Sequence, residues 1–261
     1  MIKIKNINYN LVLNKHVKPQ NAEEFGYWLA GLIDADGHFT QCGGYLQISF
    51  HNRDLNVAYF IKKIIGFGYI YQYKKVNACR YNCPKEGQIF LSNVLLDKLK
   101  LPRKIKQFNE RLVPHVGSKL CQTNQNTIST KNYWFAGFVQ GDGSFQIRIR
   151  KLQKRSKNHQ IEITLNIELK DECILKQIKA TFGGFVGYRK SRDTYYYNSI
   201  NLTNATKLVA YFDKYQVIGS NYRLYLCWKR ALNIVLTKQH LTANGFEEIK
   251  ALKVYMTQLR A

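Results

Sequence analysis

Phe25 to Phe39 reads FGYWLAGLIDADGHF, and Asn132 to Phe145 repeats its pattern as NYWFAGFVQGDGSF. Each copy reads as one short helix ending in a turn, and the rest of the chain divides into two halves that hang from these segments. Asn21 with Glu24 three residues on has the form of a capping box, and Thr130 is placed to cap the second copy. Apolar residues then run on all sides, through Trp28, Leu29, Leu32 and Ile33, and again through Trp134, Phe135, Phe138 and Val139. A helix apolar all round is a buried helix. Gly31 and Gly137 sit mid-helix, where glycine costs roughly 1 kcal/mol against alanine. With Ala30 and Ala136 beside them, they imply close approach of another backbone, and the repeat supplies it in the other copy.

Asp36 and Asp142 fall in the last turn of these helices, before Gly37 and Gly143, which suit the left-handed residue that commonly ends a helix. A carboxylate at the negative end of a helix dipole has the wrong sign. Two such helices packed side by side also bring the two carboxylates together, which neither capping nor packing requires. Divalent cations would reverse that argument, since hard cations take carboxylate and carbonyl oxygens. Two symmetry-related acids around shared metal ions suit phosphodiester hydrolysis.

Leu29 to Gly37 spells LAGLIDADG, and Phe135 to Gly143, FAGFVQGDG, looks like a degenerate second copy. From about Phe25 onward the chain resembles the LAGLIDADG homing endonucleases. The resemblance implies an α+β fold of two pseudo-symmetric αββαββα half-domains, joined through their motif helices, with two antiparallel sheets forming a saddle for a long double-stranded DNA site. It implies a monomer that makes a double-strand break with 3′ overhangs. By position it makes Asp36 and Asp142 the metal-binding acids and the carbonyls of Ala35 and Gly141 further ligands. The implied cofactor is two or three Mg2+ ions, with Mn2+ as the alternative. Many relatives carry a Gln on the strand after the motif; Phe50 and Leu169 stand there, both apolar. Lys104 takes the place of the family's basic residue in the first half, and Asn221, with Lys214 and Arg223 nearby, takes it in the second.

Lys+Arg 40 against Asp+Glu 17 in 261 residues leaves a net charge of +23. That excess points to a polyanion. No apolar run approaches the roughly 18 residues of a spanning helix, so nucleic acid comes before membrane. Of six cysteines only Cys79 and Cys83 are close, and a single C-x3-C without suitably spaced histidines favours free thiols over zinc. Free thiols suit a reducing compartment. The N-terminus MIKIKNINYN lacks a secretory signal core. Richness in Asn, Lys, Ile, Tyr and Phe is what AT-rich coding DNA produces, and mitochondrial or chloroplast genomes are often of that kind.

The expected organisation is an N-terminal arm over 1–20, a first half-domain over 21–116, a polar linker over 117–130 and a second half-domain over 131–261. In the first half a hairpin spans Phe39 to Phe50 around Gly43-Gly44. A helix from Leu55 to Ile65 follows, then strands at Gly68 to Lys75 and Gln88 to Leu91 around a polar loop with Cys79 and Cys83, then helices at Val94 to Leu99 and Ile105 to Leu112. In the second half strands run from Phe145 to Arg150 and Ile161 to Leu169 around a basic loop, 151–160. A helix at Ile174 to Thr181, strands at Val186 to Lys190 and Tyr195 to Asn201, and helices at Ala205 to Phe212, Arg223 to Leu236 and Phe246 to Leu259 complete it. From Asp36 to Ile48 is 12 residues and from Asp142 to Ile167 is 25, whereas Ile48 to Gly68 and Ile167 to Gly187 are both 20. The difference of 13 therefore belongs to the first hairpin.

Glu162, Thr164, Asn166, Glu168 and Lys170 alternate with Ile161, Ile163, Leu165, Ile167 and Leu169, and Gln146, Arg148 and Arg150 alternate with Ile147 and Ile149. The polar set is either ordinary solvated surface or a ribbon laid in a DNA groove, and the net charge favours the groove. The candidate DNA contacts are Gln41, Gln47, Ser49, Tyr71, Tyr73 and Lys75 in the first half. In the second they are Gln146, Arg148, Arg150, Lys154, Thr164, Asn166, Glu168, Arg189, Lys190 and Arg192. Two rivals share this fold: a maturase acting on intron RNA, and a DNA-binding protein that has lost catalysis. Retention of both acids favours cleavage. Gly68-Tyr69-Ile70-Tyr71 is faintly similar to the GIY-YIG nucleases, and Phe185-Val186-Gly187-Tyr188 to an RNA-recognition strand, but the repeat explains both, the latter as the counterpart of Phe67-Gly68-Tyr69. Six scattered histidines give no HNH-like cluster. Gln140, opposite Asp34, reads as a structural change.

Overall fold

The computed structural model describes residues 16–122, 128–151 and 159–260. Helix α1 (Ala22–Ala35) is capped by Asn21 as expected, but the return bond of Glu24 goes to the residue before the cap. Asn21 Oδ1 accepts the Glu24 amide at 2.9 Å, and Glu24 reaches back to the Gln20 amide at 2.8 Å. Its repeat, α6 (Trp134–Asp142), starts differently from expectation: Asn132, not Thr130, accepts the Trp134 amide at 3.0 Å.

After α1 come β1 (Gly37–Phe39), β2 (Leu46–His51), α2 (Leu55–Ile65), β3 (Tyr69–Tyr73) and β4 (Ala78–Asn82). The half closes with α3 (Gln88–Leu95), α4 (Pro102–Gln107), a π-helical turn over Phe108–Leu112 and α5 (Val113–Val116). The second half runs β5 (Gly143–Lys151), β6 (His159–Leu169), α7 (Glu172–Phe182), β7 (Phe185–Arg189) and β8 (Thr194–Asn198). It ends with α8 (Leu202–Lys214), α9 (Ser220–Leu236) and α10 (Ala243–Gln258). Each half holds one antiparallel sheet, ordered β1-β2-β4-β3 and β5-β6-β8-β7. The architecture is the expected α+β pair of half-domains. The matched pairs Gly37↔Ile48 and Gly143↔Ile167 place the length difference in the first hairpin, as the spacings require.

Three expectations are corrected. The segment read as a loop around Cys79 and Cys83 is the inner strand β4, while Gln88 to Leu91 begins a helix. Cys79, Tyr81 and Cys83 form the buried face there, and a chain in which cysteine and tyrosine do the apolar work hides its period of two. Gly37 and Gly143 are not left-handed caps: both open strands, and a side chain on either would collide with Ile33 or Val139 of the preceding turn. The partner of Gly68 is Gly184, not Gly187, because a Cβ on Gly68 or Gly184 would strike the ring of Tyr81 or Tyr197 respectively. Phe185 therefore matches Tyr69, and both lie opposite an asparagine, Asn198 or Asn82.

Helices cover one face of each sheet. Ile48 and Tyr81 in the first half, and Ile167 and Tyr197 in the second, point into that core. In the second half Phe145 packs among Phe212, Tyr225 and Trp228. The opposite faces of both sheets stay open. The halves meet chiefly through α1 against α6.

Candidate catalytic centre and nucleic-acid interface

Gly31 and Gly137 let α1 and α6 pass backbone to backbone. A Cβ on Gly31 would strike the Trp134 carbonyl, and one on Gly137 the Trp28 carbonyl. Neither helix tolerates even a methyl group at the crossing, so their C-terminal ends converge. Asp36 caps α1 and Asp142 closes α6. Gly141 lies so near that a Cβ there would stand 2.7 Å from Asp36 Oδ2.

Desolvation in this junction raises the Asp36 carboxyl above its usual range, against the nearby Lys104. The same cause pushes Asp142 up to about 7, and the charge of Asp36 adds to it, while Arg103 and Lys104 oppose. Asp142 Oδ2 is shut off from solvent without a hydrogen-bond partner. Lys104 is buried and donates from Nζ to the Gly37 carbonyl. Desolvation lowers its pKa to about 8, even though Asp34, Asp36 and Asp142 all favour its charged form.

Among the described residues no group of three or more His, Cys, Asp or Glu side chains is placed to hold a metal. The available set is two carboxylates with the carbonyls of Ala35 and Gly141, at helix ends where carbonyls lack intrahelical partners. These donors are all oxygen, and one carboxylate oxygen is unsatisfied. Such a set fits a hard divalent cation that keeps several waters.

Two positions before each acid the halves differ. Asp34 accepts the Lys100 amide at 2.9 Å, the Leu101 amide at 3.1 Å and the Trp134 indole N–H at 2.9 Å. Full burial pushes it up to about 7 against these donors. Its counterpart Gln140 accepts the Ile218 amide at 2.9 Å. Gln140 thus keeps the structural task of holding the segment that leads to the next helix. Leu101 and Ile218 are therefore equivalent, and three residues on, so are Lys104 and Asn221. Asn221 Nδ2 donates to the Gln140 carbonyl at 2.8 Å and brings no charge. A cavity of about 560 Å³ between the halves is lined by Asp36, Gly141, Asn221, His51, Arg53 and Arg260, among others. Arg53 and Arg260 had no signal in the motif spacing. Phe50 and Leu169 are equivalent by register, opposite Cys79 and Tyr195, and turn toward the core, Leu169 fully and Phe50 in part.

The open face of the first sheet carries Gln47, Ser49, Tyr71 and Tyr73 as expected, with Gln41 and Lys75 exposed at its ends. It also carries His38, Tyr69, Arg80 and Asn82. The sequence pattern does not signal the last two, because β4 has no clear apolar alternation. On the second sheet Gln146, Arg148, Arg150, Asn166 and Glu168 share the open face, joined by Tyr196 and Asn198. Arg189 lies on its outer strand, and Lys190 and Arg192 are exposed at the following turn. Thr164 is on this face by register but only 4% exposed, because its hydroxyl lies under Asn166, from whose Nδ2 it accepts at 3.1 Å; it is not an available contact. Lys154 lies outside the described residues. Much of the second face is paired with itself: Glu168 holds Arg189 at 2.6 Å and Thr194 at 2.8 Å, and Arg150 meets Glu162 at 3.2 Å.

The model of the LAGLIDADG endonuclease family matches residues 29–110 and 135–232. An uncharacterized cox1 intron-2 37.2 kDa protein of Schizosaccharomyces pombe is 38% identical over 91% of this chain and 74% of its own length. A probable intron-encoded endonuclease 4 of Neurospora crassa is 25% identical over 83% of this chain, which spans only 41% of that relative. Among solved structures, I-SmaMI bound to an uncleaved DNA target in the presence of calcium ions superposes with a TM-score of 0.66 at 20% identity, covering 89% of this chain and 98% of that one.

Proposed function

The chain belongs to the LAGLIDADG endonuclease family, and from that premise we propose that it cuts double-stranded DNA at a long, asymmetric site, hydrolysing one phosphodiester on each strand to leave 3′ overhangs. The observation that carries this reading is the pair of convergent carboxylates, Asp36 and Asp142, at the wrong end of their helix dipoles, with Asp142 Oδ2 unpartnered. Mg2+, or Mn2+ in its place, would be held by Asp36, Asp142 and the carbonyls of Ala35 and Gly141; when bound it supplies a more acidic water and compensates charge on phosphate oxygens. Lys104 keeps a cation beside both acids, where a scissile phosphate would lie. The open faces of the two sheets take the duplex on either side, and the net charge of +23 neutralises its backbone.

A maturase or a pure DNA binder has no use for two acids brought together at the helix junction, which ranks both rivals below the nuclease. The relatives' names place their genes in introns, which suits an intron-encoded protein of an organelle. No helix among the described residues is long and apolar enough to cross a membrane. The test is incubation with fragmented organellar DNA and intron-junction sequences in magnesium and in calcium, followed by sequencing of new ends. Reproducible ends at one site in magnesium, lost in Asp36→Asn while salt-sensitive binding persists, are expected. Normal double-strand cutting by that variant would remove the two-acid assignment.

A further inference from the structure

Asn82, on the inner strand of the first sheet, has a side-chain oxygen that is buried and without a hydrogen-bond partner. It sits in a groove of about 310 Å³ on the open face, walled by Gln47, Tyr69 and Tyr71 and rimmed by Lys85 and Glu86. Its counterpart Asn198 is fully engaged: Nδ2 donates to Asn166 at 2.9 Å, and the oxygen accepts the Ile200 amide at 2.8 Å. Only the first sheet therefore leaves an amide oxygen unsatisfied at this position. A buried acceptor without a partner is costly, and a ligand donor removes that cost.

The surrounding chemistry also differs between the sheets. Strands β1 to β4 carry no carboxylate at all. Tyr69, Tyr71 and Tyr73 line one face of β3 and are 59%, 49% and 42% exposed, an apolar row unusual for a free surface. Among the described residues that face carries one guanidinium, Arg80, hydrogen-bonded to Ser49 at 3.3 Å and stacked over Tyr73, whereas the second face carries three, Arg148, Arg150 and Arg189, held by Gln146, Glu162 and Glu168. The matching positions of β7 are Phe185, Gly187 and Arg189, and that sheet adds Arg148, Arg150, Glu162 and Glu168.

Resting on the nuclease reading above, we propose that the first sheet reads an A·T-rich half-site, with Asn82 selecting an adenine and the tyrosine row covering neighbouring thymine methyls, while the second sheet reads the half-site that carries the G·C pairs. In the major groove adenine presents one donor and one acceptor, N6 and N7, which an amide matches bidentately. Guanine presents two acceptors there and would leave the Asn82 oxygen unpaired. Thymine is the base with a methyl group to lay against a ring, and Arg and Glu are the side chains that take guanine and cytosine.

The test is selection from a randomised duplex by the intact protein, bound in calcium and cut in magnesium, for the wild type and Asn82→Asp. The wild type is expected to enrich A·T pairs across one half-site. Asn82→Asp, nearly isosteric but only an acceptor, is expected to move one position there from adenine toward cytosine by about tenfold. Replacing thymine by deoxyuridine beside that position should weaken wild-type binding several-fold and leave Tyr71→Ala unaffected. An unchanged profile in Asn82→Asp, or G·C pairs in the half-site that it alters, overturns the inference while leaving the nuclease standing. A protein that enriches no sequence overturns both.

Discussion

The indole N–H of Trp134 donates to Asp34 Oδ2 at 2.9 Å across the crossing of α1 and α6, while the equivalent N–H of Trp28 is buried with no acceptor. The asymmetry goes with the change of residue two positions before each acid. Asp34 has two oxygens and serves two backbone amides and an indole. Gln140, in the matching place, accepts the Ile218 amide, and its uncharged amide draws no indole N–H. Divergence of the second motif has thus cost a hydrogen bond at the interface without disturbing the packing that the glycines permit.

Replacing each tryptophan by phenylalanine should expose this difference. Both variants lose ring area in a full core, but only Trp134→Phe also breaks a bond to a carboxylate. Trp134→Phe is expected to be the less stable by about 1.5 to 3 kcal/mol in urea denaturation. Equal losses would show that the Asp34 bond contributes nothing net.

The acids at the junction predict a dependence on pH. Asp142 has a folded pKa raised from 3.8 to about 7, so the folded chain retains a proton that the unfolded chain has released. Its contribution to stability is therefore present at pH 4 and is lost as pH rises through 7. In metal-free buffer at pH 8, Asp142→Asn should be more stable than the wild type, on the order of 1 to 2 kcal/mol after allowance for solvent screening. At pH 5 the gap should shrink markedly. Magnesium should raise the melting temperature of the wild type at pH 8 and do much less for the variant. A wild type that gains stability between pH 5 and pH 8 relative to Asp142→Asn would contradict the assignment.

What the sequence made legible was whatever a repeat or a period could reveal. The two motif helices, their glycine crossing, the acids and the register of the first hairpin all followed from residues that recur at matched spacing. Strand β4 did not, because Cys79 and Tyr81 stand in for aliphatic residues and the flanking segment looked polar. Reading it as a loop hid Arg80 and Asn82, two of the eight side chains on the first sheet's open face. The glycine alignment slipped for a related reason: Gly187 preserved an interval of 20, whereas the glycine that a tyrosine ring requires is Gly184. Arg53 and Arg260 come to line the same cavity as Asp36 only through tertiary packing, which one-dimensional spacing does not encode.

A second link between the halves is local and testable. Asp54, before α2, accepts both the amide and the hydroxyl of Ser220 at 2.7 Å each, and so caps α9 of the other half. Its counterpart Asp171 caps only its own helix, at the Ile174 amide, 3.2 Å away. Asp54→Ala is expected to cost about 2 to 3 kcal/mol, and Asp171→Ala about 1 kcal/mol, by chemical denaturation. The same loss in both would mean that Asp54 is only an ordinary cap.

The two sides of the helix junction differ most sharply at Lys104 and Asn221. Both follow by three residues the amide held by Asp34 or Gln140, so they occupy matching places, yet one is a buried ammonium and the other a neutral amide. A phosphodiester transition state gathers negative charge, and a cation in place when that charge develops lowers the barrier at its own strand. One strand should therefore be cut before the other, with a nicked intermediate visible on a supercoiled plasmid bearing the target. Lys104→Gln should slow the faster strand by about a hundredfold. Asn221→Lys should speed the slower strand, by up to about tenfold if the new ammonium finds the place that Lys104 holds. Duplexes labelled separately on each strand give the rates. Equal rates in the wild type, or equal slowing of both strands in Lys104→Gln, would mean that Lys104, lying beside both acids, serves both sites alike.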